Sequence, residues 1–228
     1  MSTFSEARNE PRWTRRKDAR PEEITAAALE LFVERGYAGT RLEDVAARAG
    51  VSKGTLYLYF ANKAELFKAV VREGLVSPLS AVRELMGRHE GPMMELLRMV
   101  VYGWWERIGS TRISGIPKLV ISEAGNFPEI AEFYLAEVVR PGTALIRAIV
   151  ERGIASGEFR PLDSNEAVDL VFAPLMMIAL WNHSLGAFEP RRADPRKLLD
   201  THLDMLRRGL SAAPVQTGDA KDTGAPQS

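Results

Sequence analysis

The chain has 228 residues, and its 30 basic and 30 acidic side chains give a formal net charge of zero at pH 7. Cysteine is absent, which excludes a disulfide framework, thiolate chemistry and a cysteine-based zinc site, and a cytoplasmic protein is the simplest expectation. The zero conceals an asymmetry, because residues 1–72 hold 13 Lys or Arg against 10 Asp or Glu and the remainder carries the opposite excess.

The N-terminal arm, residues 1–20, is basic and lacks the apolar segment that a signal peptide requires. Two interpretations stay open for this arm, a disordered solubilising tail and a segment that enters a minor groove of DNA. Its six basic residues are Arg8, Arg12, Arg15, Arg16, Lys17 and Arg20.

A first helix is predicted in the segment from Ile24 to Tyr37, because apolar residues recur on one face at helical spacing. Gly36 is expected to end this helix. A second helix follows from Thr40, since Thr40 and Glu43 have the spacing of a capping box. Gly50 then supplies the positive φ of a tight corner. The apolar residues expected inside these two helices are Ile24, Ala27, Ala28, Leu31, Phe32, Leu42, Val45, Ala46 and Ala49.

A short third helix begins after Ser52, which is expected to cap it, and buries Leu56 and Phe60. An ordinary surface helix seldom exposes two tyrosines beside a lysine and a threonine, so the pattern favours a helix-turn-helix that enters a major groove. The alternative is a helical corner in a bundle, with the tyrosines half-buried. The residues left on the outer face are Lys53, Thr55, Tyr57 and Tyr59.

From Pro21 to Val71 the chain resembles the DNA-binding domain of the TetR family of bacterial transcriptional repressors. The segments LEDVA, AGVSKGTLYLYF and NKAELFKAVV carry this resemblance. One position departs from a common form of the family, since Leu58 stands where many members have a second tyrosine. The resemblance implies a homodimer that binds a palindromic operator in double-stranded DNA.

The resemblance also implies roles for individual residues. Thr40, at a helix N-terminus, and Lys63, which opens the fourth helix after the cap residue Asn62, are expected to contact backbone phosphates. The start of the recognition helix is expected to face base edges, and its tyrosines to contact phosphates, bases or a thymine methyl group. The complete set of expected DNA-binding residues is Thr40, Ser52, Lys53, Gly54, Thr55, Tyr57, Tyr59 and Lys63.

Beyond Val71 the helical period persists and strand-like alternation is missing, so the sequence predicts an all-α chain. The expected domains are the arm, a helix-turn-helix domain at 21–71, a ligand-binding and dimerisation domain at 72–211, and a disordered tail at 212–228. A connecting helix near 63–76 joins the two domains. Glycine and proline predict helix boundaries at Ser77-Pro78, Gly91-Pro92, Gly109-Ser110, Gly125-Asn126, Arg140-Pro141, Ser156-Gly157 and Glu189-Pro190.

Two predicted helices near the C-terminus, at 164–187 and 195–210, are apolar enough to pack against a partner as well as the monomer. The alternative is that both belong only to the core of the monomer. The resemblance implies dimerisation through these last two helices. The apolar run from Leu170 to Trp181 contains Pro174 and spans twelve residues, so no membrane helix and no membrane partner are expected.

The middle helices are expected to bind an apolar small-molecule effector, because aromatic and methionine side chains line adaptable pockets. The alternative for each such side chain is an ordinary place in the core. The segment from Leu119 to Val138 resembles a C-terminal subgroup of the family, which names no ligand. The candidate pocket residues are Met99, Tyr102, Trp104, Trp105, Phe127, Phe133, Tyr134, Met177, Trp181 and His183.

The sequence contains no motif of an enzyme. Its three histidines, His89, His183 and His202, have no partner at metal-ligand spacing, and no catalytic residue, metal or cofactor is expected. We interpret the chain as a sequence-specific transcriptional regulator, a repressor that a small molecule releases from its operator. The alternative is a helical adaptor or a small-molecule-binding module without DNA binding.

Overall fold

A computed structural model describes residues 21–189 and 194–212 of the chain. These residues are helical apart from their connections and one isolated antiparallel bridge between Phe159 and Ser211. The all-α prediction is therefore confirmed. The N-terminal arm and residues 213–228 lie outside the described residues, so the expectations for the arm and for most of the tail stay predictions.

The α-helices of the described residues are short in the first quarter of the chain and longer after it. They are α1 (Pro21–Gly39), α2 (Leu42–Arg48), α3 (Lys53–Tyr59), α4 (Lys63–Val71), α5 (Ser77–Arg88), α6 (Met93–Trp104), α7 (Gly115–Glu123), α8 (Pro128–Tyr134), α9 (Arg140–Ala155), α10 (Ser164–Asn182) and α11 (Pro195–Leu210). Short 3₁₀ turns at Arg112–Ser114 and Leu185–Ala187 precede α7 and follow α10.

Helices α5 and α9 begin at the predicted boundaries Ser77-Pro78 and Arg140-Pro141, but the expected interruption of the helix is absent at both. A π-helical turn at Arg72–Val76 joins α4 to α5, and another at Leu135–Val139 joins α8 to α9. Proline removes one N–H and its ring meets the carbonyl four residues earlier, which lies inside the π turn in both cases. The wider turn accommodates the ring, so the helix continues through the proline.

The first hydrophobic core contains the inner faces of α1 to α4 together with residues from α7 and α8. Phe32, Leu56 and Phe67 are fully buried in it, and so are Ile116 and Ile130 from the second half of the chain. The predicted domain division at 71 and 72 consequently falls within a continuous helix and beside a shared core. The helix-turn-helix is thus packed directly on the rest of the chain.

A second core lies between α6, α9, α10 and α11. Its fully buried members include Leu97, Ile149, Val171 and Leu199, one from each of these helices. Burying an aliphatic side chain of this size stabilises the folded state by about 1.5–3 kcal/mol. The four helices therefore form a bundle around a core of their own.

Candidate DNA-binding surface and effector cavity

The corner between α2 and α3 places the third helix across the second. Gly50 has φ 72°, as predicted, and Val51 is buried in the corner with 2% of its surface exposed. Ser52 then caps α3, because its hydroxyl oxygen accepts a hydrogen bond of 3.0 Å from the N–H of Thr55. Leu56 and Phe60 are buried as predicted, and they hold the opposite side of α3 in solvent.

That solvent-facing side, which we call the reading face, combines cationic, aromatic and aliphatic groups. Tyr57 and Tyr59 are 43% and 47% exposed, and Leu58 between them is 83% exposed. Lys53 and Gly54 are exposed at the first turn of α3. Side chains of this kind can contact phosphates, base edges and thymine methyl groups. The reading face consists of Lys53, Gly54, Tyr57, Leu58 and Tyr59.

Lys53 is held at its position by a carboxylate of the preceding helix. Its Nζ lies 2.5 Å from Oε1 of Glu43 and 5.8 Å from the ring centroid of Tyr57. The hydrogen bond to Glu43 raises the pKa of Lys53, and the same bond lowers the pKa of Glu43. Lys53 therefore stays cationic, but part of its charge is offset before DNA arrives.

The predicted capping box at Thr40 is absent. The Thr40 hydroxyl donates to the carbonyl oxygens of Leu31 at 3.1 Å and Gly36 at 2.7 Å, and the residue is 1% exposed. Arg41 occupies the N-cap position of α2 without a side-chain capping bond. The Thr40 hydroxyl is therefore used inside the domain, and the phosphate contact expected of Thr40 stays a prediction.

The phosphate role expected for Lys63 also stays a prediction, because its ammonium is engaged inside the domain. Asn62 caps α4 as predicted, but the Nζ of Lys63 donates to the carbonyl oxygens of Tyr37 at 2.7 Å, Thr40 at 3.1 Å and Ala38 at 3.3 Å. It also lies 4.6 Å from the ring centroid of Tyr37. All three donors of the ammonium thus close the C-terminal end of α1.

Arg41 is a candidate that the sequence interpretation missed. It is exposed at the start of α2, and among the described residues no carboxylate oxygen lies within 4 Å of its guanidinium. By contrast, Arg35 pairs with Asp44 at 2.8 Å, and Arg48 pairs with Glu30 at 2.6 Å. A free guanidinium at a helix N-terminus suits a phosphate. The sequence signal for this site was a basic residue, Arg41, directly after the predicted cap residue Thr40.

The helix-turn-helix contacts the rest of the chain at the turn that ends α1. Gly36 there has φ 76°. Two residues later, the backbone N–H of Ala38 donates to Oε1 of Glu123 at 3.3 Å. The ring of Tyr37 meets that of Phe127 edge to face at 4.8 Å between centroids. A movement of α7 or α8 would therefore be transmitted to α1.

A small apolar cavity of about 60 Å³ lies between α5, α6, α9 and α10. Within the described part of the chain, Arg107 is the one charged residue in its wall. Such a cavity suits a small apolar ligand. The aliphatic part of the wall includes Leu79, Val82, Val101, Leu145, Val171 and Leu175.

The residues expected to line a pocket lie elsewhere, with the exception of Trp104. Trp105 is buried in the second core, and Phe127, Phe133 and Tyr134 pack against the first core. Burial raises the pKa of Tyr134 to about 12. The sequence interpretation favoured aromatic and methionine side chains, whereas the wall is built mainly from branched aliphatic ones.

The other predicted pocket residues have different surroundings. Tyr102 donates to Asp200 of α11 in a separate, polar groove. Met99 and Met177 are 39% and 49% exposed. The indole N–H of Trp181 donates to the carbonyl oxygen of Glu189 at 3.0 Å.

His183 connects the end of α10 to the start of α7. A ring nitrogen lies 2.8 Å from the hydroxyl oxygen of Ser114, and burial lowers the pKa of the imidazole. In the described ranges no group of three or more His, Asp or Glu side chains is placed to hold a metal ion. His183 is accordingly part of the packing between α10 and α7.

Helix α10 extends on both sides of the apolar run from Leu170 to Trp181. At 19 residues this helix is long and apolar enough to cross a membrane by length and composition alone, so the expectation of no membrane helix stays a prediction. Buried helices in protein cores meet the same criterion. Leu170, Ala173 and Met177 form an exposed stripe on it at helical spacing, with Leu170 64% exposed.

The fold and the reading face together define a helix-turn-helix regulator with a helical effector domain. The family described as bacterial regulatory proteins, tetR family, matches residues 24–70, and the tetracyclin repressor-like C-terminal domain matches residues 89–202. The chain belongs to the TetR family, and it is a DNA-binding transcriptional regulator.

Among its relatives, the transcriptional activator FasR of Mycolicibacterium smegmatis is 40% identical over 70 residues, which are 31% of this chain and 32% of FasR. The uncharacterized regulator YdeS of Bacillus subtilis is 29% identical over 154 residues, 67% of this chain and 74% of YdeS. The crystal structure of FadR from Bacillus subtilis in complex with stearoyl-CoA has a TM-score of 0.68 at 22% identity. That match covers 83% of this chain and 99% of the FadR chain.

Proposed function

We propose that the chain is a dimeric repressor that leaves its operator when a small apolar molecule occupies the cavity between α5, α6, α9 and α10. The observation that supports this most is the reading face, where Leu58 and two tyrosines are exposed on a capped, well-packed helix. Exposed apolar and aromatic groups on a rigid helix lower solubility unless they meet a partner. Major-groove DNA is the partner that suits their shape and chemistry.

Dimerisation is supported by the apolar stripe that α10 leaves exposed. Leu170 and Met177 lie on that stripe, and Met205 of α11 is 67% exposed. An unpaired apolar face of this extent is normal for a surface that packs against a second copy. Two copies would present two recognition helices about 34 Å apart, one turn of DNA.

Control by a ligand is supported by the contact between the effector domain and α1. Glu123 and Phe127, at the ends of α7 and α8, touch the turn that Lys63 also holds. A ligand that favours a different arrangement of these helices changes the spacing of the recognition helices and shifts the population away from the DNA-bound state. Linkage requires that operator DNA weakens ligand binding by the same factor.

The test uses an operator selected from a random DNA pool with the wild-type protein. Lys53→Ala and Tyr57→Ala should abolish its binding at physiological salt while the dimer, measured by light scattering, stays intact. Arg88→Ala, an exposed change on α5, is the matched control and should bind DNA like the wild type. Operator binding that survives both substitutions on the reading face would refute the proposal.

Dimerisation has its own test in Leu170→Glu combined with Met177→Glu. Two carboxylates on the stripe should produce a folded monomer with weak operator affinity. Light scattering should therefore give a dimer mass for the wild type and a monomer mass for the double variant. A wild type that is monomeric at micromolar concentration would contradict the proposal.

A further inference from the structure

We propose that Arg107 is the anion-binding residue of the effector site and holds the negatively charged head of a ligand whose aliphatic part fills the cavity. This inference rests on the proposed effector site and names the chemical class of its ligand. It depends on where Arg107 lies relative to two neighbouring spaces in the molecule.

The first space is the apolar cavity. Its wall is formed by aliphatic side chains, Trp104 and Phe172, and within the described residues Arg107 supplies its sole charge. An uncharged hydrocarbon would use the wall but would leave Arg107 without a role. A ligand with one anionic end uses both.

The second space is a more polar cleft between α1, the end of α4 and the turn after α6. Arg107 lines this cleft as well, together with Thr25, Glu73 and Thr111. Arg107 is thus common to the walls of the cavity and the cleft. A ligand that enters the cavity with its chain places its head at Arg107, where the cleft opens.

The guanidinium of Arg107 is available for such a head. Arg72 and Arg112, each next in sequence to a residue of the cleft, have carboxylate partners at 3.5 and 3.7 Å. Among the described residues no carboxylate oxygen lies within 4 Å of the guanidinium of Arg107. Gly103 lies beside Arg107 in the wall of the cavity. A Cβ at Gly103 would stand 3.1 Å from Nη1, so the glycine lets the guanidinium lie against α6.

The charges of the cleft restrict the head to a compact group. Glu73 accepts a hydrogen bond of 2.7 Å from Thr25 there, and its carboxylate would repel a head that extends far into the cleft with several negative charges. A single carboxylate matches the planar fork of an arginine in two parallel hydrogen bonds. The ligand class is therefore an aliphatic carboxylate.

The position of the head also connects binding to regulation. Thr25 belongs to α1 and Glu73 to the π turn that follows α4, so both flank the cleft from the DNA-binding side. An anion held by Arg107 lies beside these two residues. The head, more than the chain, should decide how strongly the ligand biases the arrangement of α1 and α4.

The experiment measures binding of decanoate, decanol and decanoyl-CoA to the full chain by calorimetry and by tryptophan fluorescence. Decanoate should bind the wild type about tenfold or more tightly than decanol, because a charge-assisted pair is lost with the alcohol. Arg107→Gln should remove that difference, and Arg107→Lys should restore part of it. Since Arg107 is exposed, neither substitution should change the midpoint of thermal unfolding.

A second pair of variants tests the apolar part separately. A Cβ at Gly142 would stand 3.7 Å from Leu79 and 3.9 Å from Phe172, inside the cavity, whereas a Cβ at Gly87 has no neighbour within 4 Å. Gly142→Ala should therefore weaken decanoate and decanol alike. Gly87→Ala, which gives a similar gain in helix propensity, should weaken neither.

Each outcome decides the inference. Equal affinities of the wild type for decanoate and decanol, equal decanoate affinities of the wild type and Arg107→Gln, or no binding of any probe would overturn it. Binding of decanoyl-CoA alone would overturn the assignment of a carboxylate ligand, because the anionic groups would then be the phosphates of coenzyme A. Loss of operator binding by the wild type would instead refute the proposed function, so the two failures are distinguishable.

Discussion

Lys63 and Tyr37 are joined by a hydrogen bond of 2.7 Å between the ammonium of the first residue of α4 and the carbonyl oxygen at the end of α1. Burial lowers the pKa of Lys63, while Glu123 acts in the opposite direction. Helix C-termini present unpaired carbonyl oxygens, and a cation there satisfies them. The lysine that follows the recognition helix is therefore used to hold α1 and α4 together.

Replacing Lys63 with Met should destabilise the protein by about 1–3 kcal/mol, because three carbonyl oxygens lose their donors. Denaturant unfolding of the wild type and the variant measures this difference. The dependence of operator affinity on salt concentration should keep its slope, since Lys63 is not counted among the phosphate contacts.

Lys68→Met is the matched control for that substitution. Lys68 lies in the same helix and pairs with Glu65 at 2.9 Å on the surface, so its loss should cost less than about 1 kcal/mol. A reduction of the salt slope by about one unit in Lys63→Met, with unchanged stability, would restore the phosphate role.

Leu58 should read a thymine. It points away from the buried side of α3 and is 83% exposed, and an aliphatic side chain at a base edge contacts the C5 methyl group of thymine. Leu58→Ala should lower operator affinity by about 1 kcal/mol without changing stability.

Uracil in place of the contacted thymine removes the same methyl group and completes a double-mutant cycle. With Leu58→Ala the uracil substitution should have no further effect. Additive losses would show that Leu58 and the methyl group act independently. Tyr59→Ala combined with the same uracil is the control for a neighbouring side chain.

Glu43→Gln should strengthen binding to operator and to random DNA alike. Glu43 pairs with Lys53 at 2.5 Å and places a carboxylate beside the phosphates. Its neutralisation frees the lysine, so the slope of affinity against salt should become steeper. Asp44→Asn, which affects the Arg35 pair instead, serves as the comparison. Weaker operator binding by Glu43→Gln would mean that the carboxylate positions Lys53 for DNA.

The elements and the reading face were predictable because both depend on local patterns. The spacing of Leu56 and Phe60 determines which side of α3 faces outward, and Gly50 and Ser52 specify the corner before it. The expectation of a helix break failed at Pro78 and Pro141, where a π turn before the proline lets the helix continue.

The roles of individual polar residues depended on contacts between distant parts of the chain. Thr40 reaches a carbonyl nine residues away, and Lys63 reaches others up to twenty-six residues away. Arg107 gains its importance from two spaces that lie between helices distant from one another in the sequence. Contacts of this kind cannot be predicted from the pattern within one helix. The family resemblance therefore assigned Thr40 and Lys63 to phosphates and gave Arg107 no role.

His202 should make the bundle less stable as the pH falls. The residue is 9% exposed between α10 and α11, and since a carbonyl oxygen can only accept, its Nε2 donates to Val171 at 3.2 Å. Burial lowers the pKa of its imidazole below the usual value, and the hydrogen bond to Val171 opposes this.

The direction follows from linkage. A histidine whose pKa is lowered on folding binds a proton more readily in the unfolded chain, so its contribution to stability is present above about pH 6.5 and is lost below it. The loss is at most about 1.4 kcal/mol per pH unit for one histidine. His183, whose pKa burial also lowers, contributes in the same direction. Urea unfolding between pH 7.5 and 5.0, in steps of about half a pH unit, measures the slope of the free energy of unfolding against pH.

His202→Gln separates the two histidines. The glutamine amide can donate to the carbonyl oxygen of Val171 but does not titrate, so the variant should unfold with a shallower pH dependence than the wild type. His89→Gln is the control, because His89 lies on the surface after α5 and its replacement should leave the slope unchanged. If His202→Gln keeps the full slope of the wild type, the acid sensitivity belongs to His183 or to the carboxylates, and the buried imidazole of α11 has no part in it.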